Sequence, residues 1–367
     1  ARFEYDIAAW KPTVVSVELG MNDSGGTPTD KFVANMGDML QRIRGIKARP
    51  VILAASPVND GTTMARLAGR NVRLDEYAKA LKAFAAKEEV PYADQFHALV
   101  DIWGQNKPRE ALANALPALR QAATSDKLAG VEHLRAFLAE QDKAPGQLVS
   151  MQGDPVHPGP PGQLLMAAAL LEALGADPFV SSATLDASGK VAASKGCQIE
   201  NVSAAEGGRG LQFERLDERL WFPIPEEARA AAAIDPTPFE MSQYTLKVTG
   251  LKPGSYAVRI NGIAVATASD TTLARGVNLT ELGPQPGAKS TSPIIAQSKA
   301  ILDAVAAKEG VVSQWRGLSQ RAHAPGASPD LKEQLAALTK KVEEADATIR
   351  AAAEPKTMKF EIAAVSR

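Results

Sequence analysis

The sequence predicts an α/β protein with a parallel sheet at its front, then a small β-rich domain, then a helical region closed by a last strand. Three observations carry that reading. Short β-branched runs alternate with amphipathic helical stretches over the first hundred residues. Period-two text punctuated by Gly and Pro follows from about residue 180. Charge-rich helical periodicity takes over after a Pro/Gly/Ser-rich linker at 283–293. The 367 residues suffice for two or three compact units, and 45% hydrophobic with 23% charged residues is ordinary globular composition.

Each element has a local reason. Residues 13–19, Thr-Val-Val-Ser-Val-Glu-Leu, form a β-branched run ending at Gly20, the pattern of a buried parallel strand entering a loop. Over 30–46, Phe32, Val33, Met36, Met39, Leu40 and Ile43 recur at helical spacing behind Thr29 or Asp30 as cap. A second buried strand is expected at 50–55, closed by Ser56-Pro57. A helix at 74–89 and a third strand at 90–94 follow. Residues 101–150 read as helical, with Pro117 and Gly130 as breaks. The loop Asp154-Pro155-Val156-His157-Pro158-Gly159 opens an apolar helix at 162–174, and the α/β unit is expected to span 1–179.

The β-rich domain is expected at 180–283, where the alternating run 256–260 meets Asn261-Gly262, a hairpin-turn signal. Tyr244 and Tyr256 alternate like core residues, which favours packing over carbohydrate binding. The helical region is expected at 284–367. Its stretch 331–349 reads as a solvated hairpin, and 357–365 as a final strand that returns to the β-domain.

Composition narrows the partners. A net charge of -1 gives no electrostatic reason to expect nucleic acid or an anionic membrane. No apolar run approaches the roughly 20 residues of a membrane helix. The single cysteine, Cys197, excludes an intramolecular disulfide and reads as inert filler. Of the four histidines, His97 follows the third strand and reads as structural rather than substrate-lining, His133 and His323 lack an acid partner at ligand spacing, and no pair resembles a metal site.

Two short sites carry chemistry. Gly20-Met21-Asn22-Asp23 sits at the carboxyl end of the first strand, where open α/β sheets bind ligands. An Asp three residues before a His can fold back and accept the Nδ1 hydrogen, leaving Nε2 for the substrate. Asp154 and His157 have that spacing. Asn22 can offer a neutral amide N–H to a developing oxyanion. Each site taken singly is explained as well by a plain turn or a helix-initiation loop. Their joint order and placement favour catalysis.

Gly-x-Asn-Asp after a buried strand and Asp-x-x-His-Pro before a helix resemble the third and fifth sequence blocks of the SGNH (GDSL-like) hydrolases. The resemblance covers roughly residues 5–176. It implies a flavodoxin-like three-layer α/β sandwich and an ester hydrolase with a Ser-His-Asp triad. In that reading His157 is the general base, Asp154 its orienter, and Asn22 an oxyanion donor, with Gly20 in the same block at the substrate. No metal or organic cofactor is implied. The partner is a small-molecule or carbohydrate ester, and the family's habits point to a secreted or periplasmic location.

The sequence departs from the family in one place. The Gly-Asp-Ser motif of the nucleophile and the second-block glycine do not occur in family position. Ser24 lies inside the third block, Ser56 is followed by Pro57, and no Gly-x-Ser-x-Gly is present. Residue 1 is Ala, and no signal-peptide succession precedes the first strand. The expectation is therefore a chain truncated ahead of its serine and inactive as it stands, with the run 13–19 left as an open apolar edge. The competing expectation is a catalytically inactive SGNH-like binding or scaffold protein. Helices within 101–150 would serve either as a lid over the acyl pocket or as plain packing.

Overall fold

Val14-Val15-Ser16-Val17 is β-branched text, and in the structure, a computed structural model, it is extended. Residues 2–58, 67, 69–102, 109–143, 156–233, 235–282 and 292–365 are described. Contacts divide the chain into two compact units: Ala1–Ser56 with Gly69–Phe96 and Lys299–Ala353, and Pro57–Ala68 with His97–Ser298 and Glu354–Arg367.

The first unit opens with α1 (Phe3–Asp6), β1 (Val14–Leu19), α2 (Thr29–Gly45), β2 (Arg49–Ala54), α3 (Arg70–Lys87) and β3 (Tyr92–Ala93). The strands form a parallel sheet in the order β1-β2-β3, with Val17 opposite Ile52 and Ile52 opposite Tyr92. Parallel neighbours need crossovers, and α2 and α3 supply them. Phe32, Met36, Tyr77, Leu81 and Ala85 from these helices pack on Ile52, with Val17 partly buried beside them. A second cluster packs Phe3 of α1 on Ile43 and Ala48, against Val15 and Val17.

Among the described residues β1 pairs only with β2. Val14 is 39% and Leu19 46% exposed, whereas Val51, Ile52 and Leu53 of β2 are buried. The open apolar edge expected at 13–19 is thus a feature of the structure.

Next come α4 (Gln95–Ile102), α5 (Arg109–Ala123), α6 (Val131–Lys143) and α7 (Pro160–Ala173). One expectation is corrected here: Pro117 does not break the helical text but lies inside α5. It is exposed, so the carbonyl left without a donor one turn earlier is not forced into an apolar core. Gly130 does stand at a break, with φ of +73° just before α6.

The second unit holds two sheets. Its strands are β4 (Phe179–Asp186), β5 (Val191–Lys195), β6 (Cys197–Ala204), β7 (Gly210–Asp217), β8 (Gln243–Thr249), β9 (Ser255–Ile260), β10 (Ile263–Ser269), β11 (Val277–Asn278) and β12 (Met358–Ala364). The short helices α8 (Thr237–Glu240) and α9 (Asp270–Arg275) interrupt them. One sheet runs β10-β9-β12-β7-β6 and the other β11-β8-β4-β5. Their inner faces share one core, with Tyr244, Leu246, Val248, Tyr256, Val258 and Ile260 all fully or almost fully buried. Tyr244 and Tyr256 are therefore core residues, as their alternation predicts. The hairpin expected at Asn261-Gly262 joins β9 to β10, both residues at positive φ. The last strand pairs with β7 and β9, filling the centre of the five-stranded sheet.

The long helices α10 (Pro293–Ala322) and α11 (Pro329–Ala352) are linked by a bond from Trp315 Nε1 to Thr339 Oγ1 (2.9 Å) and an ion pair from Lys308 to Asp346 (2.7 Å). In α11 Val342 is the one buried residue, which fits a solvated hairpin. Most of the linker expected at 283–293 lies outside the described residues. No helix among the described residues is long and apolar enough to cross a membrane.

Candidate active site

At the carboxyl end of β1 the chain turns at Gly20, whose φ is +119°. A Cβ there would meet Phe32 Cζ at 3.2 Å and Tyr77 Cδ2 at 3.3 Å, so both backbone and packing call for glycine. Asp23–Gly25 then form a single 3₁₀ turn, with Ser24 N–H donating to Gly20 O (2.8 Å).

Tyr77 of α3 pins this loop. Its hydroxyl reaches the carbonyls of Thr27 and Asp23, and its ring stacks on Phe32 at 4.1 Å. The loop is held from behind, and Asn22 stands exposed on its outer side with helical backbone (φ -75°, ψ -35°). Sequence reasoning missed Tyr77 and Phe32. Their signal was two aromatics on successive helices, which reads as core.

Ser24 is buried, and its Oγ donates to Met21 O at 2.7 Å. That hydroxyl is used up inside the turn, in keeping with its rejection as nucleophile. Ser56, at the end of β2, is buried as well.

His157 is exposed, two residues before the extended Gly159 that caps α7. Gln163 holds the loop from the helix side: its Nε2 donates to Pro158 O (3.0 Å) and its backbone N–H to Gly159 O (2.9 Å). Pro160 and Pro161 start the helix where a missing N–H costs nothing. The structure brings Gly20 and Asn22 together in one turn of the first unit. His157 belongs to the second unit, and Asp154 lies outside the described residues.

Two other histidines, His133 and His323, fall into structural settings. His133 is buried against Phe239, ring centroids 4.4 Å apart, and burial pushes its pKa down to about 3. His323 stacks on Tyr5 at 4.2 Å, with Nδ1 2.9 Å from Ser319 O. Cys197 is buried, and desolvation raises its thiol above the ordinary range, which disfavours the thiolate. No group of three or more His, Cys, Asp or Glu among the described residues is arranged to hold a metal ion.

The geometry can be set beside known proteins. BT4096, a gut microbial diltiazem-metabolizing enzyme, shares the fold: 19% identity, a TM-score of 0.65, and coverage of 99% of this chain and 86% of that one. Two other solved structures match over part of the chain. Axe2, an acetylxylan esterase from Geobacillus stearothermophilus, is 18% identical, with a TM-score of 0.31 over 48% of this chain and 66% of its own. LAE5, an α/β hydrolase enzyme from the metagenome of Lake Arreo, Spain, is 16% identical, with a TM-score of 0.30 over 47% and 65%. No curated protein matches the sequence. The family model of the GDSL-like lipases and acylhydrolases matches residues 1–165, the span that holds the Asn22 turn and the His157 loop.

Proposed function

We propose that the chain is the greater part of a serine ester hydrolase, with His157 as general base, Asp154 as its orienter and Asn22 as a donor to the oxyanion. The observation that carries this reading is the turn at the end of β1. A glycine with positive φ, a spent Ser24 hydroxyl and the Tyr77 clamp leave Asn22 as the outward-facing amide at the sheet's ligand-binding end. The family match over residues 1–165 supports the reaction class.

The serine would come from sequence ahead of residue 1, on a strand lying beside β1 in a flavodoxin-like order. The open edge of β1 accommodates such a strand. The serine hydroxyl attacks the ester carbonyl while His157 takes its proton. Asn22 Nδ2–H then bonds the oxyanion, His157 returns the proton to the leaving alcohol, and a water deprotonated by His157 cleaves the acyl-serine to release the acid and restore the serine hydroxyl. The substrate would be a small-molecule or carbohydrate ester.

Asn22→Ala in the complete gene product tests the donor. With p-nitrophenyl acetate, kcat should fall about 10²–10³-fold with little change in KM, because the bond forms in the transition state. An unchanged kcat removes Asn22 from the oxyanion hole.

A further inference from the structure

The second unit contains a cavity of about 440 Å³ that the hydrolase reading does not use. That volume is within the range of small-molecule sites, roughly 300–1,000 Å³. Its floor is apolar and made of small side chains from both sheets: Ala183, Val258, Ala266 and Ala268, all buried. Leu128, ahead of α6, and Val131, its first residue, also line it. No aromatic ring lines it among the described residues, so the floor suits aliphatic groups rather than a stacked ring.

The walls carry charges of both signs. Lys247 of β8 lines the cavity half-buried and has no ion-pair or hydrogen-bond partner among the described residues. Glu281 lines it too, half-buried, with a hydrogen bond to Asn278 and no cationic partner. Beside it the side chain of Glu132, 8% exposed, has Arg135 at 3.6 Å. Arg275 also lines the cavity, donating Nη2 to Lys127 O at 3.2 Å. Burial raises the carboxyl pKa of both Glu281 and Glu132, in Glu132 against the opposing pull of Arg135.

Lys247 and Glu281, which line one cavity without an ion pair between them, discriminate among ligands. A purely apolar ligand would strip water from both and satisfy neither. A ligand with a single charge would satisfy one and meet its own sign on the other wall. A ligand bearing both signs satisfies both at once. We propose that this cavity binds a free aliphatic α-amino acid as its zwitterion. The ammonium faces Glu281 and Glu132, the carboxylate faces Lys247 and Arg275, and the alkyl chain lies on the alanine floor.

L-leucine is the probe, titrated into the full chain by calorimetry beside 4-methylpentanoate and isopentylamine. These two analogues keep its carbon body and one charge each. Leucine should saturate with a Kd below about 10 mM, and both analogues should bind at least about tenfold more weakly. Lys247→Gln should weaken leucine about tenfold and leave isopentylamine unchanged, and Glu281→Gln should do the same with 4-methylpentanoate as the unaffected probe. In the unsubstituted protein, leucine methyls should show intermolecular NOEs to Ala183, Ala266 or Ala268, a readout that does not depend on any variant folding. Four results would each overturn the proposal: no saturation by about 10 mM, an analogue binding as tightly as leucine, both variants binding leucine like the parent, or no NOE to the alanine floor.

Discussion

Gly20 and His133 show at the scale of single residues how position dictates identity. At Gly20 any side chain would meet two aromatic rings in a backbone conformation that L-residues rarely adopt. Gly20→Ala should cost about 1–3 kcal/mol in urea unfolding. A silent substitution would mean that the turn is not held as described. His133 acts through linkage. Its pKa is lowered from 6.5 to about 3 by burial first and by the Arg229 charge second. The unfolded chain therefore takes up a proton below pH 6.5 that the folded one refuses, and stability falls with pH from 6.5 down to about 3. At pH 4.5 the loss is about 3 kcal/mol. His133→Phe should flatten this part of the melting temperature–pH curve, and a curve identical to that of the parent would refute the assignment.

At the scale of elements, two features stand out. In the sandwich, Arg215 of β7 is fully buried and bonds Asp217 through Nε (2.9 Å) and Ser181 through Nη2 (2.7 Å). Tyr244 completes the network, its hydroxyl donating to Asp217 Oδ2 at 2.8 Å. Removing one member leaves an uncompensated buried charge, so Asp217→Ala should cost about 3–5 kcal/mol by chemical denaturation. A loss under about 1 kcal/mol would show the network to be incidental. The open edge of β1 is the second feature. An exposed apolar strand edge templates pairing between copies. Val14→Lys with Leu19→Lys should lower light scattering on concentration, and unchanged scattering would place self-association elsewhere.

Across the whole molecule, legibility followed periodicity. The β1-α2-β2-α3-β3 run was readable because strands flanked by crossover helices repeat at short range. The return of β12 to the sandwich was readable from Met358, Phe360 and Ile362 alternating. Pairing partners were not: β12 sits between β7 and β9, more than a hundred residues from β7, and no local pattern encodes that distance. The buried network was equally hidden, since nothing local to Arg215 and Asp217 marks two charged side chains of one strand as buried partners. Gly20, Asn22 and His157 are candidates picked out by motif, while the hydrogen bonds of Tyr77 to the loop after β1 emerged only from tertiary packing. The likeness to BT4096 spans 99% of the chain, so it extends beyond residues 1–165 to the sandwich and the long helices.

In the proposed mechanism His157 activates a serine lying outside these 367 residues. Fluorophosphonate labelling of the complete gene product, followed by peptide mapping, tests it most directly. The account predicts one labelled serine, located ahead of residue 1, with labelling slowed about 10³-fold or more by His157→Ala. A label on Ser24, Ser56 or any other serine of this chain, or a labelling rate indifferent to His157, would contradict it.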